Sequence, residues 1–165
     1  MNPVGATLLR GTAANLASIA ALAAFGKRET GSPLAGINAV SHWLWGDADA
    51  RRNELSWKYT VVGALTNEAA SLFWAFCFDR LFGLRRRNAS APQLLGEAAA
   101  MSAIAFAVDY GITPKRLTPG YELRLSRSSL FAVYVAFAGG LALGSLLLPR
   151  AGSTGGAPRL DAQVV

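Results

Sequence analysis

The sequence predicts an all-α protein, a polytopic four-helix bundle that crosses a membrane. Three observations carry that expectation. Of 165 residues, 52% are apolar and 16% charged, with a mean hydropathy of +0.30, against about 45–50% apolar and 25% charged in an ordinary soluble domain. The apolar residues gather into four segments about 20 residues long, the length that crosses about 30 Å of hydrocarbon. The charges fall mostly between those segments: only Glu68, Glu97 and Asp109 stand clearly inside one, with Arg10 and Asp79 at the margins. Four such segments leave short loops, which excludes a separate soluble catalytic domain. The chain is expected to form one membrane domain over 1–150 and a flexible tail, rich in glycine at its start, over 151–165.

The first helix is expected at about 7–26. Its centre, Gly11 to Gly26, carries no charge, is rich in Ala and Ser, and contains Asn15. A cleaved signal peptide is the competing reading, because Ala21-Leu22-Ala23 resembles a small-residue cleavage site. A leader with one cation, Arg10, and the charged Lys27-Arg28-Glu29 directly after the apolar run favour a retained helix. The second helix is expected at about 57–81, with Asn67 and Glu68 near its middle. At 100° per residue Thr60, Gly63, Ala64, Asn67, Ser71 and Trp74 form one stripe, which should face protein.

The third helix is expected at about 92–112. Ser90 and Gln93 have the spacing of a capping box, and Pro92 suits a first turn. Its acids Glu97 and Asp109 lie about 18 Å apart at 1.5 Å per residue, too far to act as one carboxylate pair. The fourth helix, about 128–149, has the clearest signal: Ser128 to Pro149 is 22 residues without Asp, Glu, Lys, Arg or His. Pro149 stops it, and Arg127 and Arg150 bracket it. Within it Ala132, Ala136, Gly140 and Gly144 recur every fourth residue, a small-residue face on which another backbone approaches closely. That face suits packing inside the bundle; the alternative is a homodimer or a membrane partner subunit.

With four spans, the termini and the Arg85-Arg86-Arg87 loop share one side, and the first and third loops share the other. The cations split seven to nine between the sides, so the positive-inside rule turns on the arginine triplet, the densest cluster in a short loop. It favours both termini in the cytoplasm. The net charge of +6 follows from this flanking pattern and from contact with anionic lipid. No RNA-binding or zinc-knuckle motif accompanies it, so no nucleic-acid partner is expected.

The single cysteine, Cys77, excludes a disulfide framework within one chain, and the single histidine, His42, excludes a zinc cluster or a bis-histidine haem site. Cys77 reads as a small buried residue. No phosphate-binding glycine loop, HExxH, CxxC or GxSxG is present; no catalytic residue, cofactor or metal site is assigned. The candidates for chemistry lie in two loops. In the first, Ile37 to Trp45 is too short to cross and apolar enough to lie in or dip into the interface, with His42, Trp43, Trp45, Trp57 and Tyr59 as aromatic anchors. Asp47, Asp49 and Glu54 alternate with cations after it. The third loop, Asp109 to Ser128, holds Thr113-Pro114 and Thr118-Pro119, each suited to starting a helical turn.

Because these loops share a side, His42, Asp47, Asp49, Asp109, Arg116 and Glu122 are expected to converge at one end of the bundle. Asp109 needs a partner, and Lys115 or Arg116 is the nearest cation. The convergence serves either as an ion-pair knot that pins the loops or as a pocket for a lipid headgroup or small polar metabolite, with arginine reading anionic oxygens. Asn67 and Glu68, with Glu97, form a deeper intramembrane polar set. They hydrogen-bond across the bundle, to Asn15 or Ser102, or handle protons in a small transporter or intramembrane enzyme.

The phrases NAVSHWLWGD (Asn38 to Asp47) and DYGITPKRLTPGYE (Asp109 to Glu122) resemble those of a group of small, uncharacterised bacterial inner-membrane proteins. The similarity spans roughly Ile37 to Leu143. It implies a four-helix protein of a bacterial inner membrane and brings no activity with it. The resulting expectation is an accessory or binding role.

Overall fold

The computed structural model describes residues 2–83 and 89–148. The Arg85-Arg86-Arg87 triplet, Pro149, Arg150 and the tail lie outside the described residues. Helix α1 (Pro3–Thr30) is followed by two short helices, α2 (Ala35–Val40) and α3 (His42–Trp45), and then by α4 (Val62–Phe82), α5 (Ala91–Gly111) and α6 (Arg127–Leu146). A π-helical turn, Trp57–Val61, runs directly into α4. Four helices, α1, α4 with its π turn, α5 and α6, are long and apolar enough to cross a membrane. No strand occurs among the described residues.

The local signals explain most helix ends, and two departures have clear causes. Helix α1 exceeds the expected 7–26 at both ends. Asn2 accepts from the Gly5 N–H at 2.7 Å, with Pro3 in the first turn, and the helix stops at Gly31 in the left-handed conformation (φ 80°). Gly26 is therefore not the stop but a close approach: a Cβ there would lie 2.8 Å from the Ser32 carbonyl oxygen. At the start of α5, Ser90 caps the Gln93 N–H as expected, but only half of the capping box forms. The Gln93 side chain turns forward and donates to Glu97 at 2.9 Å.

Helix α6 sits between α1 and α5, and α4 packs on the other side of α1; α4 and α5 barely touch. The order α4–α1–α6–α5 is thus an open horseshoe with a cleft between its ends. Glycines set the closest approaches. A Cβ on Gly140 would fall 2.5 Å from both the Ala13 oxygen and the Ala14 Cα, and one on Gly144 would fall 2.8 Å from the Arg10 Cα. The small-residue face of α6 is therefore used within the chain, and α1 covers Gly140 and Gly144. Gly11 brings α1 against Leu72 of α4 in the same way.

Two apolar clusters fill the bundle. One holds Phe78, Met101, Phe137 and Leu141; the other lies under the loops and holds Leu22, Ile37, Val40, Tyr121, Leu130 and Val133. At the end remote from the first and third loops, Arg10 pairs with Asp79 at 2.7 Å and donates to Ser145 at 3.0 Å, joining α1, α4 and α6.

The first loop departs most from expectation. All six residues of α2 are buried, so the start of Ile37 to Trp45 folds into the bundle and does not lie along an interface. Asn38 explains the fold: its amide donates to the Arg52 and Glu54 carbonyls (3.1 and 2.9 Å) and accepts from Thr60 (2.7 Å). Gly63 then admits the Ile37 carbonyl, which would stand 2.1 Å from a Cβ. Trp45 and Trp57 remain exposed, as anchors should be, but His42 is 1% exposed.

Candidate functional site

The third loop folds inward onto α4. Asp109 lies two residues from the end of α5 and lines the same cavities as Asn67 of α4. The chain after Gly111 descends far enough for the Tyr121 hydroxyl to donate to Asn67 Oδ1. Asn67 also donates to Asn15 Oδ1 at 2.6 Å and to Ser18 at 3.4 Å, so α1, α4 and the third loop meet on one amide. Burial, with Asp109 and Glu122 nearby, pushes the Tyr121 hydroxyl above its ordinary pKa and keeps it a donor.

Two buried-polar expectations resolve differently. The partner of Asp109 is not a cation: its Oδ2 accepts from the Tyr134 hydroxyl at 2.7 Å. Arg116 is exposed, near Gly46, and makes no ion pair among the described residues. Glu68 bonds neither Asn15 nor Ser102 but accepts from Thr12 at 2.7 Å; Ser102 donates to the Tyr134 carbonyl. Glu97 is half-buried beside Gln93, and Cys77 is half-buried against the lower apolar cluster.

The six loop candidates do not gather into one pocket. Asp47 is exposed. Asp49 accepts from Tyr59 at 3.0 Å and faces Arg52 at 3.5 Å. Glu122 accepts from Thr118 at 2.6 Å and Tyr110 at 3.2 Å. His42 serves as a wedge: its Nδ1 lies 2.9 Å from the Ala39 oxygen and would stand 2.7 Å from a Cβ on Gly120, whose positive φ of 84° suits glycine. Trp43 donates to the Thr118 carbonyl at 2.7 Å. Arg124 donates to Asn53 and to the Ala50 carbonyl; burial, with Arg51 nearby, lowers its pKa. The first and third loops thus interlock as a cap through neutral hydrogen bonds and one cation, not through an ion-pair knot.

Below the cap, a groove stays open between α4 and the third loop, to which α5 contributes Asp109. Its volume is about 680 Å³, with Leu65, Phe73, Trp74 and Leu117 among its apolar walls, and Asn67, Asp109 and Thr113 supplying polar groups. Behind it a pocket of about 40 Å³ reaches Ser18, Tyr121 and Tyr134. Asn67, Ala70, Trp74 and Asp109 line both. Tyr121 falls in the phrase Asp109 to Glu122, whereas no sequence motif marks Tyr134. The usable signal for Tyr134 is a tyrosine in an apolar run, whose hydroxyl needs a partner once buried.

Replacing Tyr121 by Phe should therefore cost about 1–3 kcal/mol, because the buried Asn67 oxygen loses its donor. Tyr110→Phe, which removes a more exposed bond to Glu122, should cost clearly less. Thermal unfolding of the two purified variants checks the order; equal melting temperatures would contradict the role given to Tyr121.

Comparison of the chain with protein-family models, curated proteins and solved structures returns no match.

Proposed function

We propose that the chain is a four-span protein of a bacterial inner membrane, with both termini in the cytoplasm, that binds a membrane amphiphile in the groove between α4 and the third loop. The observation that carries this reading is the groove itself. Pockets for amphiphiles are mostly apolar with a few placed polar groups. This one joins an apolar body along Leu65, Phe73 and Trp74 to a polar end at Asn67, Asp109 and Thr113. Its α4 wall carries the exposed Leu65 and Phe73, which would face lipid. The interlocked loops roof the polar end, so the occupant comes from the bilayer. The role we assign is accessory or binding.

Ala70→Trp tests the reading, since Ala70 lines both cavities and an indole there fills them. Native mass spectrometry of the detergent-purified protein should show lipid retained by the unaltered chain and lost from Ala70→Trp. Equal lipid retention by both would refute the groove as the site.

A further inference from the structure

The lipid reading leaves the head unspecified, and the polar end of the groove has a definite sign. Among its lining residues there is no Lys, Arg or His, and the one charged group is Asp109. One Asp109 oxygen takes the Tyr134 hydroxyl, and no other hydrogen bond to the carboxylate occurs among the described residues. The closest further charge that bears on it is Glu122, another acid. Asn67 is spent: its amide donates to Asn15 and Ser18 and its oxygen accepts from Tyr121. Beside the neutral hydroxyls of Thr66 and Thr113, the charged group left to read a ligand is therefore an acceptor of negative sign, in a place where an unpaired charge is costly.

Two tryptophans, Trp43 and Trp74, line the same groove. The Trp43 ring is fixed by its bond to the Thr118 carbonyl. An acid and two indoles lining one groove match a cation, because indole ring faces carry negative potential. A phosphate placed at Asp109 would meet repulsion, and a glycerol head would offer the carboxylate neutral hydroxyls without the charge of an ammonium.

We propose that the groove selects an amphiphile with a primary-ammonium head, the chemistry of an ethanolamine phospholipid. This inference rests on the lipid reading above. The ammonium donates to Asp109 and lies against Trp74 and Trp43. A quaternary head fits less well, since it has no N–H to give the carboxylate. The phosphate then lies outward, toward Thr113 and the exposed Lys115 and Arg116, which share one helical turn with the groove residue Leu117.

The experiment uses the full chain, delipidated in detergent and equilibrated with equal amounts of palmitoyl-oleoyl phosphatidylethanolamine, phosphatidylcholine and phosphatidylglycerol, with bound lipid read by native mass spectrometry. The unaltered protein should retain the ethanolamine lipid over each of the others by about tenfold or more, since a hydrogen bond to a charged group contributes about 1.5–3 kcal/mol. Asp109→Asn, which still accepts from Tyr134, should keep its melting temperature and lose the preference. Trp74→Leu should weaken the preference without abolishing it. Lipid bound by the unaltered chain without head preference, or with preference for phosphatidylglycerol, overturns the ammonium assignment and leaves the groove standing. The same lipid bound equally by Ala70→Trp overturns the groove and the assignment together.

Discussion

Gly140→Leu is expected to unfold the protein under conditions where Gly139→Leu does nothing. The two positions are one residue, 100°, apart on α6. At Gly139 a Cβ meets nothing within 4 Å, and the residue is exposed. At Gly140 it would fall 2.5 Å from the Ala13 oxygen and the Ala14 Cα. Overpacking typically costs about 1–3 kcal/mol when neighbouring side chains can shift; here the obstacles are backbone atoms of α1, so the whole helix must move away. The packing of α1 on α6 is the most extensive helix pairing in the bundle, and forcing the two apart is expected to cost at least about 3 kcal/mol, the upper end of that range. Melting of the two variants in the same detergent checks it. A Gly140→Leu protein that melts with Gly139→Leu would mean that α1 and α6 are not packed as described.

That contrast also shows which parts of the fold are legible in sequence. Four apolar segments of the right length mark the four long helices, and the spacing of Gly140 and Gly144 marks a face for close backbone approach. The stripe on α4 is legible as well, because Gly63, Asn67 and Ser71 at helical spacing are all buried. The helix order is not. Nothing local says that α6 lies between α1 and α5, and the cleft between α4 and α5 is a consequence of that order alone.

The candidate site is half legible for a related reason. Charge draws attention to Asp109 and Glu122, and both stand near the polar end of the groove, but charge also draws attention to Arg116, which is exposed. The inward fold of the third loop brings the Tyr121 hydroxyl onto Asn67, and a span count has no information on how deep a loop descends. Tyr121 and Tyr134, which complete the site, are neutral, one in a polar loop and the other in an apolar run. Their roles appear only when their hydroxyls are seen against Asn67 and Asp109. Glu29 is a similar case. In sequence it reads as the charged end of the first helix, yet it accepts from the Ser126 N–H at 2.7 Å and hydroxyl at 2.8 Å, capping α6 from α1.

Asp79→Ala is expected to be as damaging as Gly140→Leu, for an electrostatic reason. The Arg10 side chain is 10% exposed and that of Asp79 18%, with 2.7 Å between Nη1 and Oδ1. Removing one member of a buried pair leaves the other charge uncompensated, at about 3–5 kcal/mol. Replacing both members with apolar groups of similar volume is often neutral, because the desolvation of both charges disappears together. The surroundings permit that here: the Ser145 hydroxyl donates to the Leu141 carbonyl at 2.8 Å, and the Thr7 hydroxyl, which donates to Asp79, has the Pro3 carbonyl at 3.2 Å as an alternative acceptor. The double variant Arg10→Met/Asp79→Leu should therefore melt closer to the unaltered protein than Asp79→Ala does. If the double variant is as unstable as the single one, the pair contributes more than charge balance, and its hydrogen bonds to Ser145 and Thr7 hold α1, α4 and α6 together at that end.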